Sequence, residues 1–223
     1  MDVAIFDLDG TLVDTAPDII DALNRTLSDL GLTPVDDATG RSFIGGGARK
    51  LVADAMAKSG GRTASEDEID AAYARFIGYY TENSAVRSTL YPGVREALDT
   101  LAEAGLSMGV CTNKPHDLSL DVLDAFGLHK YFRAVVGGDA LPERKPAAGH
   151  LLETARRTAP EFQRAIMIGD SPTDVAAARN AGIPVVVVNY GYTVTPAEDL
   201  GADAVIADMR ELAALFPVFW KAA

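Results

Sequence analysis

Apolar positions change their spacing twice along this chain. Val3-Ala4-Ile5-Phe6 is a short unbroken apolar run, the pattern of a strand buried on both faces, and it ends at the acidic turn Asp7-Leu8-Asp9-Gly10. From Thr15 to Leu30, the residues Ile20, Leu23, Leu27 and Leu30 recur at helical spacing, with Pro17 near the start and Gly31 as the stop. Phe43-Ile44-Gly45-Gly46-Gly47 predicts a tight turn, followed by a short helix from Ala48 to about Lys58. Ser65-Glu66-Asp67-Glu68 fits a capping box and opens a helix reaching roughly Tyr80. No strand is expected between Thr15 and Arg87, so residues 15–87 read as an all-helical insert.

After Tyr91-Pro92-Gly93 helices and strands alternate. The pattern predicts a helix over Val94–Ala104, a strand over Leu106–Cys111, a helix over Leu118–Phe126 and a strand over Ala134–Val136. It continues with a helix from Ala147 to about Arg157, a strand over Ala165–Ile168, a helix over Thr173–Ala181, a strand over Val185–Val188 and a weaker one over Ala204–Ile206. Short apolar strands separated by helices predict the α/β class: a doubly wound parallel sheet, a Rossmann-like core, of residues 1–14 and 88–223, with residues 15–87 as an inserted helical cap.

A length of 223 residues fits a domain carrying such an insert. The 48% hydrophobic and 23% charged residues have the balance of a soluble globular protein, and no apolar run approaches the ~20 residues of a membrane span. No basic segment leads into an apolar stretch at the N-terminus, so a cytoplasmic location is expected, with no membrane partner. The single cysteine, Cys111, fits a reducing compartment and reads as inert strand packing. A formal net charge of -12 argues against a nucleic-acid partner. Any anionic ligand must be drawn in locally, by a divalent cation or by a few placed Lys or Arg residues.

The candidate chemistry starts at the first turn. Residues two apart in an extended chain point the same way, so Asp7 and Asp9 can address one small volume. Two crowded carboxylates repel, which favours a metal ion between them or one carboxyl held protonated. A bare Asp-x-Asp before glycine is more often an ordinary turn in which Asp9 or Thr11 acts as a cap. The full string Asp7-Leu8-Asp9-Gly10-Thr11-Leu12-Val13-Asp14 is far more specific. It resembles motif I of the haloacid dehalogenase-like superfamily, and the second aspartate marks that family's phosphatase and phosphomutase branches. Thr112-Asn113-Lys114-Pro115 resembles motif II, Lys145 in Glu143-Arg144-Lys145-Pro146 resembles motif III, and Gly169-Asp170-Ser171-Pro172-Thr173-Asp174 resembles motif IV.

The resemblance implies an Mg²⁺-dependent phosphoric monoester hydrolase acting through an aspartyl-phosphate on Asp7, with Asp9 as general acid and base. It implies phosphate binding by Thr112, Asn113 and Lys145, a metal shell of Asp7, the Asp9 main-chain carbonyl and Asp170, and support from Asp174. Phe43-Ile44-Gly45-Gly46-Gly47-Ala48, Lys130-Tyr131-Phe132, Val136-Gly137-Gly138-Asp139 and Tyr190-Gly191-Tyr192 resemble the phosphoglycolate phosphatases, which implies the small metabolite 2-phosphoglycolate as substrate. One departure is Ala147-Ala148-Gly149-His150 after Lys145-Pro146, where relatives commonly carry a proline and polar residues. Arg41, Arg49 and Lys50 beside the glycine turn are the expected cap contacts to a substrate anion. His116, His129 and His150 show no metal spacing, and Phe219 and Trp220 are expected as core or interface anchors. The rival readings are a phosphomutase, a pyrophosphatase, a broad sugar-phosphate phosphatase and, from another class, a non-catalytic phosphate-binding module; monomer and homodimer both remain open.

Overall fold

Val3 and Ile5 leave one face of the first strand, β1 (Asp2–Phe6), and Ala4 and Phe6 leave the other; all four are fully buried. A strand apolar on both faces needs a layer of helices on each side. The computed structural model describes residues 2–221 and supplies both layers.

Along the chain, β2 (Val13–Asp14) follows the acidic turn and leads into α1 (Ala16–Asp29), α2 (Asp37–Ser42), α3 (Ala48–Gly60) and α4 (Glu66–Glu82). Strand β3 (Thr89–Leu90) returns from these helices and pairs antiparallel with β2, Val13 opposite Leu90 and Asp14 opposite Thr89. The chain then runs through α5 (Val94–Glu103), β4 (Ser107–Cys111), α6 (His116–Ala125), β5 (Phe132–Val136), α7 (Ala148–Thr158), β6 (Arg164–Gly169), α8 (Pro172–Ala181), β7 (Val185–Val188), β8 (Ala204–Ile206) and α9 (Leu212–Lys221).

Six parallel strands form one sheet in the order β5-β4-β1-β6-β7-β8. Helices α5, α6 and α9 bury Leu98, Leu101, Leu123, Leu212 and Phe216 against one face; α7 and α8 bury Leu151, Ala155, Val175 and Ala178 against the other. Strand β1 is central, with β4 on one side and β6 on the other. The strand order reverses there, and open α/β sheets place their ligands at the carboxyl edge of that point.

Helices α1 to α4 have an apolar cluster of their own, built on Leu23, Leu27, Leu51, Val52, Phe76 and Tyr80, with Leu118 of α6 reaching into it. The capping box predicted at Ser65 is present: the Ser65 hydroxyl accepts from the Glu68 amide while the Glu68 carboxylate accepts from the Ser65 amide.

Some elements are additional to the periodicity. Helix α2 is short and polar, held at its start by the Asp36 carboxylate, which accepts from the Thr39 amide at 2.7 Å. The β2–β3 ribbon has two residues per strand, and α9 continues through Pro217. Phe219 is half-buried against the cluster that holds Phe216, whereas the Trp220 side chain lies outside the described residues. No helix among the described residues is long and apolar enough to cross a membrane.

The second chain crossing is fastened by Asp18 in the first turn of α1. Its buried carboxylate accepts from the Arg87 amide at 2.9 and 3.0 Å, the Ser88 amide at 2.8 Å and the Ser88 hydroxyl at 2.6 Å. Asp18→Ala leaves the buried Ser88 donors without a partner, and an expected loss of about 3 kcal/mol corresponds to a fall of roughly 8 °C in Tm for a chain this long, measurable by calorimetry.

Candidate active site

Each strand near the centre of the sheet delivers one polar side chain to the same edge. The Asp7 amide still donates to the Ile168 carbonyl at 2.9 Å, so its carboxylate is placed by the sheet ladder itself. In the same way the Thr112 amide donates to the Val136 carbonyl at 3.1 Å. Asp170 follows β6 directly. Asp174 lies one turn into α8, where its Oδ2 accepts from the Asp170 and Ser171 amides at 3.2 and 3.1 Å and from the Ser171 hydroxyl at 2.7 Å. An acidic side chain at a helix start also meets the positive end of the helix dipole.

Lys145 arrives from the loop after β5 and is almost completely buried. Its Nζ lies 3.0 Å from Asp7 Oδ1 and 2.6 Å from Asp174 Oδ1. Burial disfavours the charged form of this ammonium, but Asp174 and Asp7 hold its pKa above the ordinary lysine value. Burial also pushes the Asp7 carboxyl up to about 6, against the downward pull of Lys145 and with Asp174 and Asp9 adding to the rise. Asp7 Oδ1 additionally accepts from the Leu8 amide at 2.8 Å, while Oδ2 has no hydrogen-bond partner among the described residues.

Asp170 accepts from the Thr11 hydroxyl at 3.1 Å and the Tyr192 amide at 2.8 Å. Burial and the Asp174 and Asp7 carboxylates push it well above the usual carboxylate range. Two glycines make room for it. A Cβ on Gly191 would stand 2.2 Å from the Asp170 Cβ, and one on Gly10, whose φ is +85°, would stand 2.5 Å from Asp170 Oδ2.

Asp9 sits on the other side of Asp7. Its Oδ1 accepts from the Thr15 hydroxyl at 2.6 Å and from Lys114 Nζ at 3.1 Å. Lys114 also donates to the Tyr80 hydroxyl at 2.5 Å. A cavity opens here between the sheet edge and the helical unit. Its floor is Asp7, Asp9, Thr112 and Lys114, and its walls are largely apolar, formed by Ile19, Ile44, Leu51, Phe76 and Leu118.

Asp7, Asp170 and Asp174 bring one oxygen each within 4.8 Å of one another. Hard carboxylate oxygens in this arrangement suit a divalent cation such as Mg²⁺ or Mn²⁺. Lys145 offsets only part of this crowding, and a dication would offset the rest.

The structure thus gathers Asp7, Asp9, Thr112, Lys145, Asp170 and Asp174. It does not bring the three cap cations to them. Arg49 is ion-paired with Glu66 and Asp70 at 2.5 and 2.8 Å, Lys50 with Asp54 at 2.5 Å, and Arg41 with Asp14 and Asp37 at 3.0 and 2.7 Å; none lines the cavity. Asn113 is buried, but its amide donates to the Gly45 and Lys145 carbonyls, both at 3.0 Å, tying the glycine loop to the lysine loop. Asp174 sits in the acidic triad while also holding Lys145.

Four participants were not singled out from sequence: Lys114, Tyr80, Tyr192 and His150. Lys114 carried a readable signal, since two residues beyond Thr112 an extended chain returns to the same side. In the sequence His150 stands out as a departure from the family pattern and as a histidine without metal spacing. Its buried ring accepts from the Lys145 amide at 3.0 Å and meets the Gly137 carbonyl at 3.2 Å, and burial with the nearby Lys145 charge lowers its pKa to about 4. Cys111 is packed inert, its thiol pushed up to about 12 by burial.

Residues 4–188 match the family model of haloacid dehalogenase-like hydrolases. The phosphoglycolate phosphatase of Agrobacterium fabrum is 44% identical over 221 residues, covering 98% of this chain and 92% of that one. The phosphoglycolate phosphatase of Rhodospirillum rubrum is 44% identical over 211 residues, covering 93% and 88%. Among solved structures, a predicted phosphoglycolate phosphatase from Haemophilus somnus superposes with a TM-score of 0.87 at 33% identity, covering 96% of both chains. CbbY from Rhodobacter sphaeroides in complex with phosphate shares the fold, with a TM-score of 0.75 at 24% identity and coverage of 94% and 95%.

The raised Asp7 pKa sets a pH signature in chelator-treated protein. Between the unfolded value of 3.8 and the folded value of about 6, the native state holds a proton that the unfolded chain has released, so this contribution to stability is lost as pH rises through that window. Asp7→Asn has no such charge to bury. From about pH 4 to about pH 7 its unfolding free energy in urea should gain about 2 kcal/mol on wild type; parallel pH profiles would refute the assignment.

Proposed function

The chain belongs to the haloacid dehalogenase-like hydrolases, and on that footing we propose that it is an Mg²⁺-dependent phosphatase of small phosphate monoesters, with 2-phosphoglycolate as its substrate, acting in the cytoplasm. One observation carries the reading: the Asp7 carboxylate is held through Oδ1 by Lys145 and the Leu8 amide, with Oδ2 unpartnered on the floor of a small cavity that Asp9 and Thr112 share. The phosphoglycolate phosphatases named above support the choice of substrate.

In this reading Asp7 Oδ2 attacks phosphorus as the bond from phosphorus to the ester oxygen breaks. The departing oxygen takes the electron pair and receives a proton from Asp9. An aspartyl-phosphate results, dividing a very slow hydrolysis into two easier steps. Water then attacks the same phosphorus and gives a proton back to Asp9. The bond from phosphorus to Asp7 breaks, releasing inorganic phosphate and restoring the carboxylate. The Thr112 hydroxyl holds a phosphoryl oxygen, and Lys145 offsets charge on Asp7 in both steps.

Asp7, Asp170 and the Asp9 main-chain carbonyl would hold the Mg²⁺, which when bound supplies positive charge to the phosphoryl oxygens. Asp174 keeps Lys145 in place and starts α8. Asn113 acts through its amide ties to Gly45 and Lys145 rather than on phosphate. Residues 15–87 act as a cap over the 1–14 and 88–223 core, excluding water from the cavity while the ester is attacked.

Phosphate release from 2-phosphoglycolate should fall at least about 10³-fold in Asp7→Asn, with circular dichroism unchanged. Retention of a few per cent of turnover would remove Asp7 as nucleophile. EDTA should silence the enzyme and Mg²⁺ restore it. Gly191→Ala, which pushes Asp170 aside, should raise the Mg²⁺ concentration for half-activity about tenfold or more.

A further inference from the structure

The cavity beside Asp7 has to accommodate whatever the phosphate is esterified to, and its lining is uneven. Beyond Asp7, Asp9 and Thr112 it offers largely apolar walls, the polar groups of Asn113 and Tyr80, and one cation, Lys114. The side chain of Lys114 is 2% exposed. A lysine this deep requires compensation: burial draws its pKa below the ordinary value, and Asp9 is its principal counterion. An ammonium carries three donors. The Tyr80 hydroxyl accepts at 2.5 Å and Asp9 at 3.1 Å through Oδ1 and 3.4 Å through Oδ2; the last is the longest of the three contacts and the weakest.

Tyr80 fixes where the ammonium stands. The phenol stacks on Phe76 with ring centroids 5.7 Å apart, and Lys114 Nζ stands 4.3 Å from the centroid of the Tyr80 ring. The ammonium is therefore held between the aromatic wall and Asp9. The cap cations offer no alternative, because Arg41, Arg49 and Lys50 are each engaged by carboxylates away from the cavity.

We propose that Lys114 is the specificity-determining residue that binds the anionic group of the leaving alcohol, so that the substrates are phosphate monoesters with a carboxylate one carbon from the ester oxygen. The inference rests on the phosphatase reading and names the residue that selects among esters. Lys114 Nζ is 3.1 Å from Asp9 Oδ1, and Asp9 is the group assigned to protonate the ester oxygen. An anion bound by Lys114 therefore lies within a few atoms of that oxygen. In 2-phosphoglycolate a single methylene separates the ester oxygen from the carboxylate carbon. The largely apolar walls offer a longer polar alcohol few partners for its hydroxyls beyond Asn113 and Tyr80, which disfavours it.

The test compares 2-phosphoglycolate with ethyl phosphate, in which a methyl group replaces the carboxylate. Wild type should favour 2-phosphoglycolate by about 100-fold in kcat/KM, since a site built around a charged contact rejects the analogue lacking it. Lys114→Gln and Lys114→Met should slow both esters, because Asp9 loses a partner, yet shrink that preference at least about 30-fold, chiefly through KM for 2-phosphoglycolate. If both esters slow by the same factor, Lys114 serves Asp9 alone; the proposal falls and the phosphatase reading stands. Equal use of the two esters by wild type overturns it without any variant. Should neither variant fold, glycolate against ethyl phosphate hydrolysis by wild type decides: inhibition at least about tenfold stronger than by ethanol supports the proposal, and equal inhibition overturns it.

Discussion

A carboxylate taken out of water must be compensated, and this molecule buries several in one place. Asp7, Asp170 and Asp174 meet where β1 and β6 end, and Lys145 bridges two of them. Much of the local architecture follows from that crowding. Gly10 and Gly191 lack the atoms that would collide with Asp170, Thr11 and the Tyr192 amide hold its oxygens, and Asp174 spends its second oxygen on the start of α8. A phosphate ester is itself an anion and would be repelled by the negative surplus left over. On the proposed reading, one dication removes the repulsion among the carboxylates and the repulsion of the substrate together.

Charge outside the site is arranged differently. The chain carries a formal net charge of -12, and its exposed arginines are largely consumed locally: Arg49 by Glu66 and Asp70, Arg62 by Glu68, Arg179 by Asp203. Exposed pairs of this kind contribute little to stability. They do neutralise cations that would otherwise be free to attract anions. The active edge is thereby left with two positive groups, Lys114 and Lys145, both almost wholly buried and both held against carboxylates.

Much of this was legible in the residues. Strands that are apolar on both faces, such as Val3 to Phe6 and Val185 to Val188, have one reading in an α/β chain, and the acidic string after β1 was specific enough to locate the site. The six strands and the larger helices lie where the periodicity put them, within one or two residues at most ends. What escaped was structure whose signal is not periodic. Helix α2 rests on one aspartate cap, and the β2–β3 ribbon on pairing between residues more than seventy positions apart. The arginines near the glycine turn drew attention because charge is visible in a sequence; their ion pairs are tertiary facts and are not. Lys114 was overlooked inside a motif already quoted, since burial, which turns a lysine from solvated ornament into binding group, is decided by Tyr80 and Phe76 from a distant helix.

The β2–β3 ribbon has a further consequence. Because Val13 and Leu90 stand directly opposite each other, the chain leaves the sheet layer and re-enters it at points about 5 Å apart. The intervening helices can therefore be exchanged for a different lid, or for a tight hairpin turn, with no change in the path of any strand beneath. The cavity walls Ile19, Ile44, Leu51 and Phe76 thus ride on one contiguous, exchangeable stretch of sequence, whereas Lys114 and the acidic centre stay with the layer below the seam.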